Sequence, residues 1–167
     1  MYLKFFTFLI VLTNLFADAS IRPISTYSIV AYDEKTGELG VAVQSHWFSV
    51  GTVVPWAKAG VGAVATQSIA EPSYGPKGLA LMEKGMPADE VLKSLLAKDS
   101  GENVRQIGMV DANGNVGAHT GARCIRYAGH KIGKHYSVQA NIMEKPTVPN
   151  AMSKAFENAK GDLAERM

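Results

Sequence analysis

Apolar residues in this chain alternate in short runs, and the runs fall into two blocks of four separated by a pair of helical stretches. That order constrains the fold more than any other feature. Residues 26–33 (TYSIVAYD) set Tyr27, Ile29 and Ala31 against Ser28, Val30 and Tyr32. Both sets are partly apolar, as expected for a strand inside a sheet. After a Glu34-Lys35-Thr36-Gly37 turn, residues 38–44 (ELGVAVQ) place Leu39, Val41 and Val43 on one face and Gly40, Ala42 and Gln44 on the other. The two runs read as a β-hairpin, and the small second face admits a closely packed layer or a ligand. Residues 52–56 and 60–67 give two more strands around Pro55 and a Lys58-Ala59-Gly60 turn. Pro76 and Pro87 each open a short helix; Val91, Leu92, Leu95 and Leu96 form the apolar stripe of the second. The second block holds strands at 105–110 and 115–120, joined by a turn containing Asn113-Gly114, a strong hairpin signal. Strands at 124–128 and 136–142 complete it, before an amphipathic helix over 149–160 and a short terminal one capped by Asp162. Strands in two blocks with the helices segregated predict an α+β layered sandwich and exclude a parallel βαβ fold.

The 167 residues suit one domain, and 47% apolar against 19% charged residues is a globular composition. Seventeen Lys and Arg against 15 Asp and Glu leave a charge of +2 with no basic block, which argues against nucleic acid as a partner. The single cysteine, Cys124, excludes an internal disulfide framework and a multi-cysteine zinc site. Lys4, the apolar run FFTFLIVLTNLF and Ala17-Asp18-Ala19 have the order of a secretory signal peptide. The expected division is a signal peptide at 1–19, a short pro-segment or leader remnant at 20–25, and a domain at 26–167. Such a protein is exported, to the periplasm or beyond. The apolar run is shorter than the ~20 residues of a membrane span, so no stable span is expected after cleavage.

The segments TYSIVAYDEKTGELGVAVQSHWFSVGTVVPWAKAGVGAVATQS, PSYGPKGLALMEKG, VRQIGMVDANGNVGAHTGARCI, AGHKIGKHYSVQANIM and GDLAER carry a resemblance over nearly all of 26–166. They resemble an uncharacterised bacterial and archaeal family known as domain of unknown function 1028, some of whose members bear a fimbrial-assembly label. Its members look like N-terminal nucleophile (Ntn) hydrolases. The resemblance implies a four-layer αββα sandwich of two antiparallel sheets, each covered by helices, with the first residue of the first strand as nucleophile. Related chains continue past GDLAER with more helix and a glycine-containing strand, so the expectation is a sandwich short of its C-terminal elements.

The implied nucleophile is Thr26. A threonine hydroxyl is a weak nucleophile, but a free α-amine on the same residue serves as its base. An α-amine titrates at roughly 7.7–8.0, close to working pH. The mechanism requires removal of 20–25, by self-cleavage at Ser25–Thr26 or by another protease. Lys58 lies 32 residues further on, near the spacing at which proteasome-like members hold a lysine beside the nucleophile. Its charge would lower the amine pKa. Gln44, Ser45 and His46 end the second strand beside the start of the first, and are candidates to line the same pocket. His119, Thr120 and Arg123 form a donor-rich segment suited to an oxyanion or an anionic ligand. Gln139 and Asn141 share a strand face from which they would hydrogen-bond an amide-like substrate. The same residues serve equally as strand ends, turns and satisfied core polar groups. Trp47 and Phe48 suit a substrate wall or partner patch, whereas Trp56 suits the core. His130 and His135 offer too few ligands for a metal, and no metal or cofactor is expected. Two functions stand: an exported Ntn-type amide hydrolase acting on a small-molecule or peptide-like substrate, or a noncatalytic exported domain binding a ligand or cell-wall fragment. An assembly of identical chains stays open.

Overall fold

The computed structural model describes residues 25–167, so the expected signal peptide and most of the expected leader remnant lie outside the described residues. Strands β1 (Thr26–Tyr32) and β2 (Leu39–Ser45) form the expected hairpin, in register from Thr26 opposite Ser45 to Tyr32 opposite Leu39. The other edge of β1 pairs with β8 (Tyr136–Asn141), bringing Thr26 opposite Asn141, and β8 pairs with β7 (Gly129–Gly133). The first sheet therefore runs β2-β1-β8-β7. A second sheet runs in chain order through β3 (Pro55–Lys58), β4 (Gly62–Ser68), β5 (Arg105–Asp111) and β6 (Val116–Thr120). All pairings are antiparallel.

Alternation on the inner strands decides the layers. Val30 from β1 packs with Ala63, Ala65 and Val110 from the second sheet, and Val41 and Val43 from β2 close over them. Helices α1 (Tyr74–Glu83) and α2 (Ala88–Leu96) cover the outer face of the second sheet, burying Leu79, Met82, Val91 and Leu92 against Val64, Ile107 and Met109. Helices α3 (Val148–Asn158) and α4 (Leu163–Arg166) cover part of the first sheet, where Leu163, Phe156 and Met152 meet Ile29, Ala31, Tyr136 and Val138. Removal of these apolar surfaces from water drives the stacking. The protein is an α+β sandwich with helices on both outer faces.

Two local expectations hold for physical reasons. The small face of β2 receives the end of the chain: a Cβ on Gly40 would lie 2.5 Å from Met167 Sδ. Asp162 caps α4, accepting from Glu165 N–H at 2.8 Å while the Glu165 side chain returns to the Asp162 N–H. A four-residue helix does not hold itself together; Leu163 and an Arg166–Asp33 ion pair at 2.7 Å dock it.

One expected strand is displaced. Residues 124–128 form a looping turn tied to the end of β8, with Tyr127 and Met143 exchanging backbone hydrogen bonds, and the strand lies at Gly129–Gly133 instead. β7 is an edge strand with glycine at both ends and its three central side chains exposed. Its ladder to β8 holds it, so no apolar alternation marks it. β3 similarly begins at Pro55, whose missing N–H is tolerated on an edge strand. Among the described residues no helix is long and apolar enough to cross a membrane.

Candidate functional site

Thr26, Ser45 and Asn141 stand side by side because β1 is the inner strand between β2 and β8. Their side chains share the face that meets the second sheet. Thr26 is buried, and its Oγ1 lies 2.8 Å from Ser45 Oγ. Ser45 Oγ also accepts the Trp47 N–H at 3.0 Å, which fixes the hydroxyl at the top of β2. These residues open on a cavity of about 440 Å³ between the ends of the two sheets. Its remaining wall is mostly apolar: Val50, Val53 and Val54 before β3, Ile69 and Ala70 after β4, and Ile125 from the loop beyond β6. Trp47, 71% exposed, stands at the rim, next to Phe48 at 91%. No lining side chain carries a formal charge.

A buried amide network backs the cavity. Gln67 on β4 and Gln106 on β5 are directly opposed, and Gln67 Nε2 donates to Gln106 Oε1 at 2.7 Å. Asn141 Nδ2 donates to the same oxygen at 2.9 Å, linking the two sheets. Gln106 Nε2 sits among Thr120 Oγ1, the Gly129 carbonyl and the Ala140 carbonyl at 2.9–3.1 Å. Two non-glycine residues of the cavity wall, Ser68 and Ile142, hold left-handed backbone at φ 69° and 56°. A β-branched residue seldom adopts that conformation, and such strain gathers where a site demands a fixed shape.

The remaining sequence candidates are placed elsewhere. Lys58 does not line the Thr26 cavity. It ends β3 on the exposed surface and pairs with Glu83 of α1 at 2.5 Å, so an expected cation beside the nucleophile is not supplied by it. Gln44 is one residue out of phase with Ser45, so it faces the helix side of the first sheet and lines a separate groove with Phe156 and Met167. His46 is exposed at the strand end; its backbone N–H, not its ring, reaches inward to the Ser25 carbonyl at 3.3 Å. Gln139 shares the expected face with Asn141, but it is completely buried. It accepts from Ser28 Oγ and donates to Ser137 Oγ, which makes it core rather than site. The segment of His119, Thr120 and Arg123 also stays outside. His119 Nε2 lies by the Glu102 carbonyl and carboxylate at 2.9 and 3.3 Å. Thr120 Oγ1 meets His130 Nδ1 at 2.8 Å, and Arg123 is exposed. Desolvation and the neighbouring His119 hold the His130 imidazole below its ordinary range. Trp56 packs beside α1, as core. Sequence patterning missed Gln67, Ile69 and Ile125, because only the stacking of the two sheets brings them to Thr26. Among the described residues no cluster of His, Cys, Asp and Glu could hold a metal ion.

The profile of a family of unknown function, DUF1028, matches residues 26–167. The chain belongs to this family. Its matched region begins at Thr26 itself. A crystal structure of a DUF1028 protein from Silicibacter pomeroyi is similar, with a TM-score of 0.81 and 26% identity over 85% of this chain. The chain spans 63% of the length of that DUF1028 protein. No curated protein matches it in sequence.

Proposed function

We propose that this DUF1028 protein is an exported Ntn-type amide hydrolase with Thr26 as its nucleophile. The observation that carries the reading is the Thr26 hydroxyl, 2.8 Å from Ser45 Oγ, at the head of the inner strand β1 and in the wall of the cavity between the sheets' ends. The two-sheet sandwich with helices outside is the architecture that Ntn chemistry uses. Ser25 precedes Thr26, its carbonyl accepting from His46 N–H and its hydroxyl donating to the Ile142 carbonyl at 3.1 Å. Cleavage of Ser25–Thr26 frees the amine. Thr26 Oγ then attacks the substrate carbonyl carbon, its proton passing to the α-amine. The tetrahedral adduct expels the amine half of the substrate, which takes that proton. Water, yielding a proton to the α-amine, attacks the resulting ester; the acyl C–O bond breaks, the acid half leaves, and that proton returns to Thr26 Oγ.

The test is N-terminal sequencing and intact mass of the secreted protein, combined with hydrolysis of an acyl-amide library. A mature chain starting at Thr26, with activity lowered about 10³-fold or more by Thr26→Ala, is the expected result. A chain that keeps Ser25, with the library unaffected by Thr26→Ala, overturns the hydrolase and leaves a noncatalytic binding domain.

A further inference from the structure

The amide of Gln67 has an orientation set by its neighbours. Three acceptors surround Gln106 Nε2, so Gln106 Oε1 faces the other way and takes donors from Gln67 and Asn141. That arrangement turns the Gln67 nitrogen toward Gln106. It leaves Gln67 Oε1 buried with no hydrogen-bond partner among the described residues, on a side chain only 1% exposed. An unmet buried acceptor is destabilising, a cost removed when a donor arrives. Gln67 belongs to the wall of the Thr26 cavity, and the rest of that wall is uncharged and, away from Thr26, Ser45, Ser68 and Asn141, apolar. Ile69 and Ile125 continue the apolar surface outward and are 56% and 55% exposed.

We infer that the Thr26 cavity selects uncharged amides bearing an apolar acyl or side-chain group: the apolar group lies against Val53, Val54 and Ile69, and Gln67 Oε1 accepts the ligand's N–H. This rests on the reading of the cavity as the working site and assigns its substrate class. An apolar group gains by leaving water in such a wall. A charged group would be desolvated there without a counter-charge. Gln67 acts as a specificity-determining residue, since an ester of the same shape offers Oε1 no hydrogen.

Binding is measured by calorimetry with the secreted full chain carrying Thr26→Ala, so that turnover plays no part. The probes are acetyl-leucine N-methylamide, acetyl-leucine methyl ester, and the N-methylamides of acetyl-lysine and acetyl-glutamate, each methylated at its α-nitrogen so that the C-terminal amide carries the one backbone N–H and the ester carries none. The leucine amide binds about 10- to 100-fold more tightly than the ester, and more tightly than either charged amide. Gln67→Leu erases the amide-over-ester preference. Ile125→Lys, at an exposed position where folding is not at stake, raises affinity for the acetyl-glutamate probe about 10-fold. Equal binding of amide and ester to the Gln67 protein overturns the inference, as does indifference to probe charge. Selective amide binding together with Ser25 retained in the secreted protein that keeps Thr26 would instead sink only the hydrolase reading.

Discussion

Ser68 stands between the buried amide of Gln67 and the exposed side chain of Ile69, with its backbone at φ 69°. A side chain in that region carries a steric cost of about 1 kcal/mol that glycine avoids. Ser68→Gly is therefore expected to hold or raise stability in urea unfolding, by at most about 1 kcal/mol after glycine's larger entropy loss. Affinity for the leucine amide should fall in the same variant, because the wall on both sides of Ser68 loses its fixed geometry. A drop in stability with affinity unchanged would show that the backbone there is not held under strain for the site. Legibility in the sequence differs sharply between such residues. Thr26 and Ser45 are readable as neighbours, since a hairpin suffices to join them, whereas Asn141 is legible only as a polar position on its own strand, and the β1–β8 pairing brings it to Thr26. Gln44 does not join them, because strand alternation turns adjacent residues to opposite faces. Ser68 and Gln67 gave no signal: their role comes from the contact of two sheets, which no local pattern records.

Between elements, Asp111 has the widest reach. It closes β5, and its Oδ1 accepts from the N–H groups of Asn113 and Asn115 in the turn to β6 at 2.9 and 3.0 Å. Its Oδ2 takes the Asn115 side-chain amide and also the Ala88 N–H at the start of α2, at 2.8 and 3.1 Å. A carboxylate at a helix N-terminus meets an unpaired donor and the positive end of the helix dipole. The same carboxylate thus shapes a hairpin and anchors the helix that covers it. Asp111→Ala leaves buried donors unmet and is expected to cost about 3 kcal/mol by urea unfolding. Protection of α2 amides from hydrogen exchange should fall further than that of α1. Equal loss in both helices would deny the anchoring role. The Asn113-Gly114 pair made this turn legible, whereas the link to α2 joins residues 23 apart and left no trace in periodicity. β7 was misplaced for a related reason: an exposed edge strand is held by its backbone ladder, so its side chains carry no pattern to read.

At the scale of the whole molecule, the spacing of the two sheets governs the core and the cavity together. Gly108 on β5 faces Gln139 on β8 across the interface, and a Cβ at position 108 would overlap the Gln139 amide, with its Oε1 at 2.8 Å. Gln139 has no room to withdraw, since it is fully buried and bonded to Ser28 and Ser137. Gly108→Ala must then either break those bonds or part the sheets, at about 1–3 kcal/mol for an overpacked core. A double-mutant cycle separates this clash from any intrinsic effect of alanine in a strand. In a Gln139→Ser background the same substitution is expected to cost less than about 1 kcal/mol, because the obstructing amide is gone. The residues that join the sheets next to the cavity, Gln106 and Asn141, are two positions along from Gly108 and Gln139 on the same strands. Parting the sheets at Gly108 therefore lengthens the Asn141–Gln106 bond and loosens the orientation of Gln67. The Gly108→Ala protein should lose part of its amide-over-ester preference while keeping its preference for uncharged probes, since the apolar wall before β3 and after β4 is untouched. A full cost retained in the Gln139→Ser background would show that the sheets are not held at this distance by the Gly108–Gln139 contact.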